Sequence, residues 1–425
     1  MVGFKIAVSG SLAKYNLVDQ IIDEYEDASG IDASASTDET LTSGYYRGGT
    51  STTPTVSGGS TAVDGDYTVH TFTTNANFVT DTAMTVDYLI VGGGAGGGTD
   101  RGVGGSGCGG GGAGAYISAT SQSFSAATYA AVIGGGGGDD ADGGDTTFNS
   151  ITAGGGGAGG AEQQAGNDGR ATDGSAGGAG TRDDNPGSGN GNGNDGGSGT
   201  VGGDSGGGGG GSAAVGGDST DDNAGGDGGA GTSNSITGSA VYYAAGGGGG
   251  CETGTDSGDG GSSLGGDGGH GSQNGQNATG YGNGGGGGGN QGSYPTGGDG
   301  SNGVVIVRRP TVISTYLDLT LQSTDTTAMA EPDYADMIIL MENTAGTATI
   351  NTDIKGYISE DSGVTFTQGT LVDEGTWGTN KKIYAFHDLD ISAQSGTSMC
   401  YKITTHNQSA SKDTRIHATS IGWKA

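Results

Sequence analysis

The sequence predicts a mainly β protein in three parts: an N-terminal helix, a small β domain holding an inserted polyglycine II helix bundle, and a C-terminal β-sandwich of jelly-roll type. Three observations carry this prediction. About 85 of the 102 glycines fall between Gly92 and Gly303, in runs such as Gly109–Gly112, Gly206–Gly211 and Gly284–Gly289. Apolar stretches bracket the tract, Tyr88–Val91 before it and Val304–Val307 after it. Beyond residue 310, short apolar segments are separated by Gly, Asp, Asn and Ser turns, as in sandwiches.

Residues 1–50 read as an attachment segment. Leu12, Tyr15, Val18, Ile21, Ile22 and Tyr25 recur at spacings of three and four, with Asp19, Asp23, Glu24 and Glu26 between them. That pattern predicts an amphipathic helix of about four turns. Its apolar stripe packs either on its own domain or against an attachment partner or sister chains as a short coiled coil. Residues 36–53 are polar and turn-rich. Residues 51–309 form the β domain, with Tyr67–Thr74 alternating weakly, Asn75–Asn77 as a turn and Val86–Val91 as a buried strand that Val304–Val307 joins. His70 has no nucleophile or acid motif beside it and reads as structural.

Within residues 92–303 glycine costs more entropy on ordering than any other residue and has no side chain to bury. Disorder is therefore the default, but the bracketing strands and the clusters Ala130–Ile133 and Ala240–Ala245 argue for order. Extended helices of three residues per turn leave their backbone groups free to pair with neighbours. Without side chains such helices pack side by side, each hydrogen bond adding about 0.5–1.5 kcal/mol. Residues 310–425 supply strand candidates from Thr315–Gln322 to Thr414–Ile421, with Trp423 closing the core.

Charge and composition exclude several function classes. The chain carries 47 acids against 15 bases, a net charge of −32, which repels phosphate backbones and argues against a nucleic-acid partner. Nothing approaches the roughly 20 apolar residues of a membrane span, so no membrane insertion is expected. The start of the chain has too short an apolar run for a signal peptide. Cys108, Cys251 and Cys400 form no CxxC pair, so neither a disulfide framework nor zinc is indicated. No cofactor is expected; a structural calcium is not indicated, because the Gly–Asp stretches lack the nine-residue period of calcium-binding β-helices.

Two motifs need weighing. Gly92, Gly94 and Gly97 match GxGxxG after a strand, but glycine and Thr99-Asp-Arg-Gly follow, which cannot start the helix that a dinucleotide site needs. Ser359, Asp361, Gly363, Thr365 and Phe366 match an Asp-box. Asp361 accepts turn amides, Gly363 allows positive φ and Phe366 is expected to enter the core. One copy in about 115 residues makes it structural, with no sialidase activity implied. No nucleophile stands beside a base, so no catalytic residue is assigned.

Tyr67–Thr73, Val86–Gly94 and Gly303–Arg308 look like the flanks of the glycine-rich domain of bacteriophage tail fibres and adhesins. Tyr334–Leu340, Asn351–Ser359 and Ser398–Ile403 are similar to C-terminal modules of structural proteins from marine phages. The resemblance implies a non-enzymatic virion protein: a tail fibre or receptor-binding adhesin, or alternatively a capsid decoration protein or head fibre. It also implies a homotrimer on the tail or capsid surface, with other virion proteins and a host surface glycan or protein as partners. Loops between rigid helices carry recognition, which makes Arg170, Arg182, Tyr242, Tyr243, Tyr281 and Tyr294 the receptor-binding candidates. Tyrosines stack on sugars and hydrogen-bond through their hydroxyls; the other reading is that they seal the bundle ends.

Overall fold

The computed structural model describes residues 15–17, 19–102, 107–161, 164–169, 174–180, 185–200, 203–221, 223–252, 256–289 and 294–425, with backbone only at 15–17, 51 and 52. The chain divides into two compact units. One is Thr53–Val312; the other joins the described residues up to Thr52 with Ile313–Ala425. Nearly all regular structure is antiparallel strand.

The glycine unit starts from two five-stranded sheets. One runs Tyr116–Phe124, Met84–Val91, Val304–Pro310, Tyr67–Phe72, Ser60–Asp64; the other runs Ile151–Ala153, Thr146–Phe148, Ala127–Val132, Ala76–Thr80, Val56–Ser57. The expected pairing of the strands before and after the tract is present, with Val91 opposite Val304 and Leu89 opposite Ile306. The two strands Tyr116–Phe124 and Ala127–Val132 inside the tract were not expected. Tyr116–Phe124 pairs with Met84–Val91 in the first sheet and Ala127–Val132 with Ala76–Thr80 in the second. Phe78, Phe124, Tyr129 and Phe148 form an aromatic cluster with centroids 4.4–6.5 Å apart. His70 is buried against it: Nδ1 donates to the Gly58 carbonyl at 2.8 Å while Nε2 accepts from Arg309 Nε at 3.1 Å. That arrangement holds the neutral imidazole, and burial lowers its pKa from the ordinary value.

From Val91 the chain leaves the sheet as extended glycine arms, and the arm 107–115 shows how they pack. Cys108, Gly111 and Gly114 donate to the carbonyls of Gly288, Gly285 and Gly282 at 2.8–3.0 Å. Gly109, Gly112 and Ala115 donate to Gly160, Gly157 and Gly154, while Gly110 and Ala113 donate to Gly207 and Gly210. Every third residue thus addresses the same neighbour, which is the repeat of an extended helix with three residues per turn. Carbonyls of the same arm accept from Gly92, Ala95 and Gly98, from Ser175 and Gly178, and from Gly247 and Gly250. Three neighbours take its N–H groups and three give theirs, so the arm sits at the centre of six others, and every N–H from Gly107 to Ala115 is bonded.

Close approach explains the glycine. A Cβ at Gly109, Gly110, Gly111 or Gly112 would stand 2.1–2.4 Å from a carbonyl oxygen of a neighbouring arm. The residues of this arm that do carry a Cβ, Cys108, Ala113 and Ala115, lie towards its ends and are fully or almost fully buried. At the periphery, where a neighbouring arm is missing, aspartate replaces it. Asp145, Asp168, Asp195 and Asp218 each accept a backbone N–H, from Gly155, Ser188, Gly189 and Ser198 respectively, at 2.7–3.0 Å.

In the other unit, Gln20–Asp23, Asp413–Lys424, Tyr334–Ala345, Lys381–Asp390 and Val372–Gly378 lie side by side in one sheet, which Tyr45–Gly48 also joins. Thr320–Gln322, Ser398–Thr405, Ile354–Ser359 and Thr367–Gly369 form a second. Met337, Ile339, Phe386 and Ile421 of the first share one core with Leu321, Ile354, Ile358 and Ile403 of the second, and Trp423 belongs to it as expected.

The N-terminal helix is a correction. Tyr15–Leu17 and Gln20–Asp23 are paired antiparallel strands, and Ile21 lies opposite Ile421. Asp19 and Tyr25, with φ of 64° and 53°, leave the helical region on either side of the second strand. Ile21 and Ile22 are β-branched and suit a pleated surface. Ile21 and Tyr25 are buried in the core of their own unit, where the Tyr25 hydroxyl bonds Thr419 at 2.6 Å and Tyr401 at 3.1 Å. Leu12 and Val18 lie outside the described residues.

Gly111→Ala would set a methyl group 2.4 Å from the Ala95 carbonyl oxygen, and a loss of about 1–3 kcal/mol or more is expected. At Gly138 the nearest atom to an added Cβ is Asp299 Oδ1 at 3.7 Å. Gly138→Ala should be neutral or stabilise by about 0.4–1 kcal/mol through the unfolded chain. Thermal melts of the two variants test the lattice; equal melting temperatures would rule it out as the reason for glycine.

Candidate functional site

The arm 92–98 leaves the strand Met84–Val91 at one end and reaches the turn at Thr99 at the other, and the predicted tyrosines fall at both ends. Tyr243 and Tyr281 lie at the sheet end, their rings stacked at 6.5 Å with 17° between planes. Tyr243 belongs to the cluster of Leu89, Val91, Ala113, Ile236 and Val304, and Tyr281 packs against it. Burial, with the neighbouring Tyr281 and Tyr116 phenols, pushes the Tyr243 hydroxyl up to about 12. These two rings seal the bundle where it meets the sheets. Tyr242, next along the same strand, is 49% exposed.

Tyr294 stands at the other end and is 65% exposed. Its backbone φ is 54°, and its ring is close enough to Gly102 that a Cβ there would lie 2.1 Å from the ring edge. Three turns meet here. The Asp100 N–H donates to the Pro295 carbonyl at 3.0 Å, and the Gly297 N–H to Thr99 Oγ1 at 3.1 Å. The Thr99 N–H donates to Asp140 Oδ1 at 2.8 Å, and the exposed Arg101 guanidinium pairs with Asp140 Oδ2 at 2.8 Å. The result is an exposed aromatic ring beside an ion pair, held by backbone bonds from three arms. The sequence alone gives Arg101 no role in a site; the turn geometry is what joins it to Tyr294. Arg170 and Arg182 lie outside the described residues.

Two hollows open on the same unit. One, of about 360 Å³, is lined by Thr73, Asn277, Tyr281, Asp299, Ser301 and Asn302. The other, of about 310 Å³, is lined by Asp259, Ser263, Asp267, Gln276, Asn277 and Thr279. Their polar groups already serve the lattice: Asp267 accepts the Gly260 N–H, Asn277 the Asp299 N–H and Asn302 the Gly136 N–H, each at 2.8 Å.

The Asp-box forms as its residue types require. Ser359 Oγ donates to Asp361 Oδ1 at 2.6 Å, the Thr365 N–H donates to the same oxygen at 2.8 Å, and the Gly363 N–H donates to Ser359 Oγ at 2.9 Å. Gly363 has a φ of 78°. Burial works to raise the Asp361 carboxyl, but these hydrogen bonds outweigh it and hold it below its ordinary range. Phe366 corrects the expectation. It is only half-buried, lies edge-on to Tyr357 at 6.4 Å and has Lys402 Nζ 3.8 Å from its ring centre. The turn folds over the sheet face opposite the core, so the ring ends on that outer face.

A family model described as a glycine-rich domain matches residues 68–310, more than half of the chain. The chain belongs to this glycine-rich domain family. No curated protein matches it. The matched span runs from within the strand Tyr67–Phe72 to the end of Val304–Pro310. The glycine-rich domain is therefore the arms together with the strands that hold their two ends. Among the described residues no group of three or more His, Cys, Asp or Glu is arranged to hold a metal ion. Nor is any helix among them long and apolar enough to cross a membrane.

Outside the glycine-rich domain, one buried acid stands out within the Asp-box. Glu360 is fully buried, and neither carboxylate oxygen has a hydrogen-bond partner among the described residues. Burial first, then the neighbouring Glu331, Asp361 and Asp333 carboxylates, push it from 4.5 up to about 7. Between those values the folded chain holds a proton that the unfolded chain has released, so stability falls as pH rises through the window. Glu360→Gln has no proton to lose. Urea unfolding from pH 4.5 to 8 should show a shallower decline for the variant and a more stable variant at pH 8; parallel curves would contradict this account.

Proposed function

We propose that the chain is a non-enzymatic bacteriophage virion protein, a tail fibre or receptor-binding adhesin. In this reading the glycine-rich domain is a polyglycine II bundle that presents its far turns to the host surface. The unit closed by Ile313–Ala425 is a jelly-roll-like sandwich joined to other virion proteins, and the assembly is a homotrimer. One observation carries the reading: arms bonded to one another through their backbones end in the turns that expose Tyr294 beside Arg101 and Asp140.

Three further features support it. The lattice removes side chains from the scaffold and concentrates them in turns, the division of labour expected of a recognition surface. An exposed tyrosine beside a charge pair offers both stacking and hydrogen bonding to a sugar or a protein loop. Many weak contacts of this kind add up when copies are held together. Arg170 and Arg182, in the same tract of the sequence, belong to the same proposal.

The test uses the full chain, because residues up to Thr52 share a unit with Ile313–Ala425 and truncation would unfold them. Purified protein is measured for adsorption to host cells beside Tyr294→Ala and Arg101→Ala. A drop in apparent affinity of about tenfold per variant, near 1.4 kcal/mol, with unchanged melting is the expected outcome. Wild-type adsorption by both variants would remove these turns from the contact. An intact chain that fails to adsorb would favour a capsid decoration or head fibre.

A further inference from the structure

The outer face of the smaller sheet in the other unit carries a feature that the attachment reading does not use. Strand alternation sends Ile354, Ile358, Tyr401 and Ile403 into the core and Lys355, Tyr357 and Lys402 to the opposite face. Tyr357 is directly opposite Lys402, and Lys355 opposite Thr404. The two lysines are therefore diagonal neighbours, roughly 7–8 Å apart along the sheet. The Asp-box turn adds Phe366 to this face. Lys402 Nζ lies 3.8 Å from the Phe366 ring centre and 4.9 Å from that of Tyr357, which fixes the ammonium group in place.

Neither Lys355 nor Lys402 forms an ion pair with a carboxylate among the described residues, in a chain with 47 acids and 15 bases. The other lysines facing acids use them: Lys382 bonds Asp373, Lys412 bonds Asp353 and Lys424 bonds Asp388. Rings hold Lys402 instead of a counter-ion, so its charge stays available to an incoming anion. The same rings give an apolar surface beside it, and Gln368, exposed and opposite Tyr357, adds an amide. Two cations, one of them held by rings, two aromatic rings and an amide on a sheet face match a carboxylated sugar, whose acid group meets an ammonium while its ring lies on the aromatic surface.

We propose that Lys355, Tyr357, Phe366 and Lys402 form a binding face for an acidic polysaccharide bearing sugar carboxylates, separate from the far turns of the glycine-rich domain. The inference rests on the attachment reading for its biological setting, and its chemistry is tested apart from cells. Full-length protein is titrated with polygalacturonate oligomers and, in parallel, with neutral dextran. The wild type should bind polygalacturonate and not dextran, with affinity falling as salt rises. Lys355→Gln combined with Lys402→Gln should weaken binding at least tenfold, while Lys402→Arg, which keeps charge and ring contact, should retain it. Lys355→Gln alone, at a position with no ring contact, should weaken binding by a smaller factor and guards against misfolding of the double variant. Tyr294→Ala should bind polygalacturonate as wild type does.

Equal binding by the double variant, equal binding to dextran, or no binding of the intact chain to polygalacturonate would each overturn the proposal. If the chain adsorbs to cells but ignores polygalacturonate, only this face is refuted. If it binds polygalacturonate but not cells, the attachment reading falls and this face stands.

Discussion

The hydrogen bond between the N–H of one glycine arm and the carbonyl of the next is the interaction on which the glycine-rich domain depends. It forms only where two backbones approach with nothing between them, which is why a Cβ in the middle of the 107–115 arm would collide with a carbonyl at little more than 2 Å. Each such bond adds little alone. In the 107–115 arm, however, surrounded by six others, every N–H is bonded. This offsets the conformational entropy that glycine loses on ordering. The same logic explains the aspartates. At the edge of the lattice an N–H has no neighbouring carbonyl, and a carboxylate such as that of Asp168 or Asp218 takes the place of one. The acidity of the tract is thus built in part into its architecture.

A lattice of this kind needs ends that do not fray. The sheet formed by Met84–Val91 and Val304–Pro310 holds the first and last arms in register, and Tyr243 and Tyr281 close the interior beside it. At the other end, backbone bonds from three arms fix the turns around Thr99, Asp140 and Tyr294. Arms this regular have little to present along their length, so chemical variety is confined to where the chain reverses. This separation of a repetitive scaffold from its variable turns links the fold to the proposed role in surface attachment.

The other unit follows ordinary rules, with one reversal. Its core is built from alternating residues of two sheets, and its first described strands come from the opposite end of the chain. Tyr25 reaches Thr419 and Tyr401 in that core, so Ile21 and Tyr25 pack within their own unit, one of the two readings that their spacing allows. The Asp-box shows a related shift. Its hydrogen bonds are those that its residue types dictate, yet the turn folds outward and carries Phe366 to the outer face beside Lys402.

Some of this was legible in the residues alone. Glycine runs bracketed by Tyr88–Val91 and Val304–Val307 imply packed extended arms between paired strands, because only side-chain-free backbone can pack that closely. Ser359, Asp361 and Gly363 imply a hydrogen-bonded turn, because their donors, acceptors and φ preferences are local properties. Tertiary structure alone decided the rest. The spacing of Leu12 to Tyr25 fits a helix, but Ile21 is a strand residue because the Asp413–Lys424 strand, some 400 residues away, offers it an open edge. Tyr243 and Tyr294 are the same residue type in the same tract, yet one is buried and one exposed, since that depends on which end of an arm each occupies. The face shared by Lys355, Tyr357, Phe366 and Lys402 exists only through strand register. Local chemistry is written in neighbouring residues; which surfaces meet depends on long-range pairing that no single stretch of sequence contains.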